Sequence, residues 1–139
     1  MATFKTALRK TSKWEGGYAN DSRDSGGETY RGISRKHHPT WTGWISIDQI
    51  KAAHPKGFKS ILYKTPELQS KVEDFYKRNF WDKIKLDECP DQRVANEVFD
   101  MAVNAGIPAG VKILQKTLGI VADGKFGPAT LNAMKKIKG

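Results

Sequence analysis

Apolar residues recur at helical spacing along most of the chain. The first stripe begins at Phe4, continues through Leu8 to Trp14 and ends at a pair of glycines. Glu15 lies eleven residues after Phe4, about three helical turns, and therefore on the same apolar face. A carboxyl group on the inward face, at the negative end of a helix dipole, should resist ionisation. Glu15 is therefore a candidate catalytic residue.

Start and stop signals predict five further helices. Their starts are, in chain order, the capping-box pair Ser46 and Gln49, the pair Thr65 and Pro66, Asp91, Pro108 and the pair Gly127 and Pro128. The helix that begins at Asp91 has an inward face of Val94, Val98, Met101, Ala102 and Ala105, and a polar face of Arg93, Glu97, Asp100 and Asn104. Residues 18–33 are predicted to form an irregular loop or a short hairpin. The sequence thus predicts a mainly α fold.

One domain is expected from 139 residues, and ECPDQ at residues 88–92 is the most plausible lobe boundary. We expect residues 1–90 and 91–139 to pack as two lobes of one body. No apolar run is long enough to cross a bilayer, so no stable membrane insertion is expected. MATFKTALRKTSKW also lacks the apolar core of a secretory signal, because Lys5, Arg9 and Lys10 interrupt it. We expect the protein to be synthesised in the cytoplasm and released by a route other than a signal peptide.

The net charge indicates the kind of partner, and the cysteine and histidine content indicates whether a disulfide or a metal site is expected. The chain has 24 basic and 15 acidic residues, a net charge of +9, which favours polyanions such as nucleic acid, acidic lipid or an anionic wall polymer. The charge is spread along the chain without a nucleic-acid motif, so a nucleic-acid partner is not predicted. The single cysteine, Cys89, excludes an intramolecular disulfide. His37, His38 and His54 have no metal-site spacing, so no metal is predicted.

Glu15 and Asp24 have the environments of an acid and base pair. A glycosidase needs one carboxylic acid that stays protonated and one carboxylate that stays ionised, on opposite sides of a sugar cleft. Asp24 follows Glu15 by nine residues, in a loop rich in glycine and serine that supplies polar partners and permits a tight reversal. Asp21 and Glu28 are rivals to Asp24, although a structural hydrogen-bonding role is favoured for Glu28.

These motifs resemble a known family. WEGGYANDSRDSGGETYRGIS, residues 14–34, resembles the EGGY…D…GGET…GI signature of the glycoside hydrolase family 108 muramidases, relatives of phage lysozymes. FYKRNFWDKI at 75–84 and FDMAVNAG at 99–106 are similar to the family's aromatic element and cleft-lining helix. LQKTLGIVADGKFGPATLNAMKK resembles its C-terminal predicted peptidoglycan domain. The resemblance implies a lysozyme-like, two-lobed helical fold whose short loop or hairpin carries the second carboxylate.

The resemblance also implies roles for individual residues. Glu15 would be the general acid, Asp24 the second carboxylate, and Thr29 the residue that positions water, with Tyr30 open as an alternative to Thr29. Four aromatic residues could either line a sugar cleft or pack in the core: Tyr18, Tyr30, Tyr76 and Trp81. Asp100 and Asn104 could bind N-acetyl groups or sugar hydroxyls, or lie on a solvated helix face.

The activity implied is hydrolysis of the β-1,4 bond between N-acetylmuramic acid and N-acetylglucosamine in bacterial peptidoglycan, without a cofactor and as a monomer. A phage or prophage endolysin released through a holin fits this reading, as does a bacterial enzyme released otherwise. The alternatives are a non-catalytic peptidoglycan-binding module, in which Glu15 is only a buried hydrogen-bonding residue, and a small basic nucleic-acid-binding protein. The stereochemical outcome depends on whether the two carboxyl groups lie about 5–5.5 Å or about 6.5–9.5 Å apart.

Overall fold

The computed structural model describes residues 1–11, 17–20 and 27–138, which are mainly helical. The helices are α1 (Phe4–Thr11), α2 (Gly43–Ala53), α3 (Phe58–Tyr63), α4 (Pro66–Tyr76), α5 (Gln92–Ala105), α6 (Ile107–Leu118) and α7 (Pro128–Lys135). The strands are β1 (Tyr18–Asn20), β2 (Glu28–Tyr30) and β3 (Ile33–Ser34). A π-helical turn, Lys77–Trp81, and two short 3-10 turns, Asp82–Ile84 and Leu86–Glu88, connect α4 to α5. The predicted mainly α class is confirmed.

The chain divides into two compact units. The terminal unit comprises Met1–Lys13 and Tyr76–Gly139, and the middle unit comprises Trp14–Phe75. The predicted lobes, 1–90 and 91–139, were placed at the ECPDQ segment and stay a prediction. The division by packing differs from them because α1 packs with α5, so the two ends of the chain share one unit.

Three aromatic rings form the centre of the terminal unit. Phe4 of α1 makes edge-on contacts with Trp81 and with Phe99 of α5, each at 5.7 Å between ring centroids. Trp81 and Phe99 are 5.9 Å apart. The amide of Ala2 donates a hydrogen bond of 2.9 Å to the carbonyl of Cys89, which fixes the chain just before α1. The apolar stripe predicted for the first helix therefore buries against α5, and its continuation at Trp14 and Glu15 lies outside the described residues.

Helix α5 begins where the sequence predicts. The Asp91 carboxylate accepts hydrogen bonds from the amides of Arg93 and Val94, which satisfies donors that the first helical turn leaves free. The polar face is exposed as predicted, but the inward face is rotated: Phe99 is fully buried, whereas Ala105 is exposed. The aromatic contacts of Phe99 fix this rotation.

Helices α6 and α7 also begin near their predicted residues. Gly119 ends α6 in the left-handed conformation, with φ of 71°. The loop to α7 is held from inside by Gln115, whose amide nitrogen donates to Asp123, to the carbonyl of Lys125 and to the hydroxyl of Thr130. The loop that resembles a peptidoglycan-module turn is thus fixed by internal hydrogen bonds.

The middle unit contains the predicted hairpin as a three-stranded antiparallel sheet in the order β1-β2-β3. Tyr18 pairs with Tyr30, and Thr29 pairs with Ala19 on one side and Ser34 on the other. Strand residues alternate between faces, so Tyr30 faces the core of this unit and Thr29 the opposite side.

In the middle unit, one helix start was predicted wrongly and one helix was not predicted. Ser46 does not cap α2, because the helix already begins at Gly43 and Ser46 lies inside it, where its hydroxyl accepts a hydrogen bond of 2.8 Å from Lys71. A helix that begins at Gly43 allows Trp44 and Ile47 to be buried in the core. This burial outweighs the capping signal at Ser46. The six-residue helix α3 was not predicted, since it is too short to show periodicity.

Among residues 1–11, 17–20 and 27–138, no helix has the length and apolar character that a membrane crossing needs. Cys89 is buried, and its thiol donates to the carbonyl of Asp91 at 3.3 Å. Burial raises the pKa of the Cys89 thiol, so this group is a poor nucleophile at neutral pH.

Candidate active site

Two of the three predicted catalytic residues, Glu15 and Asp24, lie outside the described residues, as does the rival Asp21. The third, Thr29, is described, together with Glu28. The geometry of the site can therefore be built from the hairpin that carries Thr29 and from the side chains that hold this hairpin.

Thr29 is the central residue of β2. It is half-buried and lies on the face of the sheet opposite to Glu28 and Tyr30. Tyr30 is fully buried, and its hydroxyl accepts a hydrogen bond of 3.0 Å from Gln69. Of the two residues that the sequence left open for positioning water, Thr29 is therefore the one with a hydroxyl outside the core.

Glu28 is the centre of a hydrogen-bond network in the middle unit. Its Oε2 atom accepts from the Tyr18 hydroxyl at 2.6 Å and from the Lys51 ammonium at 3.0 Å. Its Oε1 atom accepts from the Arg35 guanidinium at 3.0 Å. Lys51 also donates to the Tyr18 oxygen at 3.2 Å. Both carboxylate oxygens are thus occupied by side chains from β1, α2 and the segment after β3.

The hydrogen-bond network stabilises the ionised form of Glu28. Burial alone would raise the pKa of this carboxyl, but the hydrogen bonds from Tyr18, Lys51 and Arg35 outweigh burial and hold the pKa below its ordinary value. Glu28 is therefore ionised at neutral pH and cannot act as the acid that protonates a leaving group. With both oxygens engaged, it also fits the structural role that the sequence favoured over that of second catalytic carboxylate.

Arg35 extends the network to the surface. Its two terminal nitrogens donate to the two oxygens of Asp48 at 2.8 and 2.6 Å, a bidentate pair. Arg35, Asp48 and Lys51 were not predicted, because these residues come from separate parts of the chain and no local spacing links them.

The four aromatic residues proposed for sugar stacking are all buried, none more than 8% exposed. Tyr18 packs edge-on against Phe58 at 5.2 Å, and Tyr30 stacks with Tyr63 at 6.1 Å. Trp81 donates from its indole nitrogen to Asp87 at 2.8 Å. Burial also raises the pKa of Tyr76. These surroundings favour the alternative that the sequence left open, in which the four rings pack in the cores of the two units.

Asp100 and Asn104 lie on the exposed face of α5 in the terminal unit. The side-chain nitrogen of Asn104 donates to the carbonyl of Asp100 at 2.8 Å, a local contact one turn apart. Asp100 lines a groove between α1 and α5, and the other lining residues are Lys10, Thr11, Arg93, Asn96 and Glu97.

The described residues contain no group of three or more His, Cys, Asp or Glu side chains that could hold a metal ion. The expectation of a reaction without a metal or cofactor stays a prediction.

Comparison with known proteins identifies a matching family and a similar solved structure. The family model described as glycosyl hydrolase 108 matches residues 8–106. The solved structure of Brucella abortus SagA is similar to this chain, with 30% sequence identity and a TM-score of 0.59, over 98% of this chain and 70% of SagA. No curated protein sequence gives a significant match. The matched family segment contains Glu15, Asp24, Glu28 and Thr29.

Proposed function

Because this chain belongs to glycosyl hydrolase family 108, we propose that it is a peptidoglycan hydrolase that cleaves the β-1,4 bond between N-acetylmuramic acid and N-acetylglucosamine. The observation that carries the proposal is the family match over residues 8–106, which spans the acidic motif. The mainly helical, lysozyme-like fold and the similarity to SagA support it.

In the proposed mechanism, Glu15 is the general acid that protonates the glycosidic oxygen as the bond to the sugar breaks. Asp24 is the carboxylate that stabilises the positive charge developing on the sugar ring or orients the attacking water. Thr29 positions that water through its hydroxyl. None of these steps requires a metal or cofactor.

The described part of the site supports this division of roles. The hydrogen bonds to Glu28 hold its pKa below the ordinary value and favour its ionised form, which agrees with the proposal that Glu15, and not Glu28, is the acid. The same hydrogen bonds fix β2, so that Thr29 is held on the side of the sheet opposite to Glu28. The Glu28 network is thus proposed to act as a support for Thr29.

Digestion of purified peptidoglycan, followed by mass spectrometry of the soluble fragments, tests the proposal. A muramidase leaves N-acetylmuramic acid at the reducing end of every fragment. We expect the Glu15→Gln variant to keep its circular dichroism spectrum and to lose at least about two orders of magnitude of activity, because an amide cannot donate the proton.

The control is Glu73→Gln, a change of the same chemistry at an exposed position of α4, which should retain parental activity. Fragments that end in N-acetylglucosamine would refute the bond assignment. Absence of soluble fragments from the parental protein would refute hydrolysis itself. The role in host-cell lysis, the route of release and the monomeric state stay predictions.

A further inference from the structure

A groove of about 710 Å³ lies between α1 and α5 within the terminal unit. Helix α1 contributes Lys10 and Thr11, and α5 contributes Arg93, Asn96, Glu97 and Asp100. The residues from α5 are spaced at three and four positions, so they share one side of the helix. The groove thus presents two cations and two carboxylates on adjacent helices.

These four charges have no ion-pair partner in the part of the chain that the structure describes. Among the described residues, none of Lys10, Arg93, Glu97 and Asp100 forms an ion pair, although the chain forms close pairs elsewhere, such as that of Arg35 with Asp48 at 2.6 Å. The Thr11 hydroxyl also has no hydrogen-bond partner within the described part of the chain. The four charged side chains are exposed and therefore available to a ligand, whereas the Thr11 hydroxyl is buried.

The walls of the groove are held in place independently of any ligand. Phe4 of α1 packs on Phe99 of α5 beneath them. At the other end, the Gln92 side chain accepts from the Thr3 amide at 2.7 Å and donates to the Thr3 carbonyl at 3.1 Å. Gln92 also donates to the side-chain oxygen of Asn96, which orients this groove residue. Little movement of the two helices is therefore expected when a ligand binds, and the ordering cost is confined to the exposed side chains.

The charges of the groove indicate which part of peptidoglycan it can bind. The glycan strand of peptidoglycan is neutral wherever the lactyl group of muramic acid is joined to peptide, since that carboxyl is then an amide. The stem peptide carries the charges: carboxylates on its acidic residue and its C-terminus, and an ammonium on its diamino acid. A groove with separated cations and carboxylates is complementary to such a peptide and offers less to a neutral sugar.

We propose that the α1–α5 groove binds the stem peptide of peptidoglycan. Lys10 and Arg93 bind its carboxylates, and Glu97 and Asp100 bind its ammonium group. The proposal rests on the proposed function, which supplies the substrate. In sequence, Thr11 precedes the proposed acid Glu15 by four residues, so a short stretch of chain joins the groove to the proposed catalytic centre.

The test compares two substrates: intact, uncross-linked peptidoglycan strands, and the same strands after an amidase has removed the stem peptides and the lactyl carboxyls so freed have been converted to methylamides, which keeps the glycan neutral. The double variant Arg93→Gln with Glu97→Gln removes one charge of each sign from the groove. We expect kcat/KM on intact strands to fall about fivefold, the effect of losing about 1 kcal/mol of charged contacts, and kcat/KM on stripped strands to change less than twofold. The matched control is Lys116→Gln with Glu88→Gln, an identical change of charge at exposed positions of the same unit outside the groove.

A second measurement does not depend on catalysis. A synthetic stem tetrapeptide, L-Ala-γ-D-Glu-L-Lys-D-Ala, is titrated into the isotope-labelled protein, and amide shifts are expected at Lys10, Arg93 and Glu97, with fewer and smaller shifts in the double variant. Equal losses on both substrates would show that the groove contacts the glycan and would overturn the proposal. Parental activity of the double variant on both substrates, or a titration without shifts in α1 and α5, would overturn it as well. A parental protein inactive on both substrates would instead refute the proposed function, and the titration would still decide about the groove.

Discussion

Glu28 keeps a negative charge in a place where burial alone would oppose it. Its carboxylate is only 12% exposed, yet a hydroxyl, an ammonium and a guanidinium donate to it. Each of these donors comes from a different part of the middle unit, so one side chain joins β1, β2, α2 and the segment after β3. The hairpin that carries Thr29 therefore depends on an ionised Glu28.

The Glu28→Gln variant should lower the free energy of unfolding by about 2 kcal/mol at pH 7, because charged hydrogen bonds become neutral and an amide NH₂ then faces the Lys51 and Arg35 donors. Urea unfolding measures the change. The control Glu67→Gln alters a carboxylate that is 75% exposed and pairs with Lys71 at 3.4 Å, and it should cost less than about 0.5 kcal/mol. Equal effects of the two substitutions would contradict the proposed role of Glu28.

The pH dependence of the same variant gives a second check on this prediction. The Glu28 pKa is lower in the folded protein than its ordinary value of 4.5, so the ionised form stabilises the fold at pH above 4.5. This contribution is lost as the pH falls from 4.5 through the lower folded pKa. The stability difference between parent and Glu28→Gln should therefore be constant above pH 6 and shrink below about pH 4.5. A difference that grows on acidification would refute an ionised Glu28.

At the scale of elements, α5 and α6 of the terminal unit approach each other closely at Gly110. A methyl group added at Gly110 of α6 would lie 2.9 Å from the Ala102 Cβ and 2.9 Å from the Val98 carbonyl oxygen. Both neighbours belong to the buried side of α5, which cannot retreat without disturbing the packing of Phe99. The glycine is therefore required by the helix contact and not by its own backbone conformation.

Gly110→Ala should consequently destabilise the protein by about 1–2 kcal/mol, because overpacking outweighs the gain of somewhat less than 1 kcal/mol in helix propensity. Urea unfolding again supplies the measurement. Gly127→Ala is the control, since a methyl group there meets no atom within 4 Å, and it should cost about 0.5 kcal/mol as an N-cap change. A Gly110→Ala protein as stable as the parent would show that α5 and α6 can separate freely.

The elements differ in how well the sequence predicted them. The starts of α4, α5, α6 and α7 were predicted to within one residue because Pro66, Asp91, Pro108 and Pro128 act through local geometry. The start of α2 was missed because burial of Trp44 sets it, and burial is a tertiary property. The same limit applies to the aromatic residues: the sequence left open whether Trp81 packs in a core or lines a cleft, because burial decides between them.

The candidate site was predictable only in part, for the same reason. The motif identifies Glu15, Asp24 and Thr29 as a set, and the family match supports the activity. The partners of Glu28 could not be predicted, since Lys51 and Arg35 meet it only when α2 and the sheet have folded together. The α1–α5 groove was likewise invisible, because it joins residues more than 80 positions apart.

At the scale of the whole molecule, the two ends of the chain form one unit, and this predicts how a truncation behaves. Residues 1–90 contain Phe4 and Trp81 but lack Phe99, the third ring of their cluster, and all of α5, α6 and α7. Exposing these buried apolar side chains forfeits about 1.5–3 kcal/mol each, against a total stability of about 5–15 kcal/mol.

The fragment 1–90 should therefore show no cooperative unfolding of α1 and no hydrolysis of peptidoglycan. Thermal and urea unfolding followed by circular dichroism, and by the fluorescence of Trp81 against a Trp81→Phe fragment, measure the first expectation. The full chain in the same buffer is the reference. Since the middle unit has its own core, residual structure confined to residues 14–75 agrees with the prediction, provided that Trp81 is solvated. A fragment in which Trp81 is buried and which cleaves peptidoglycan would instead show that residues 91–139 are an independent module, and the shared unit would then be a contact without energetic consequence.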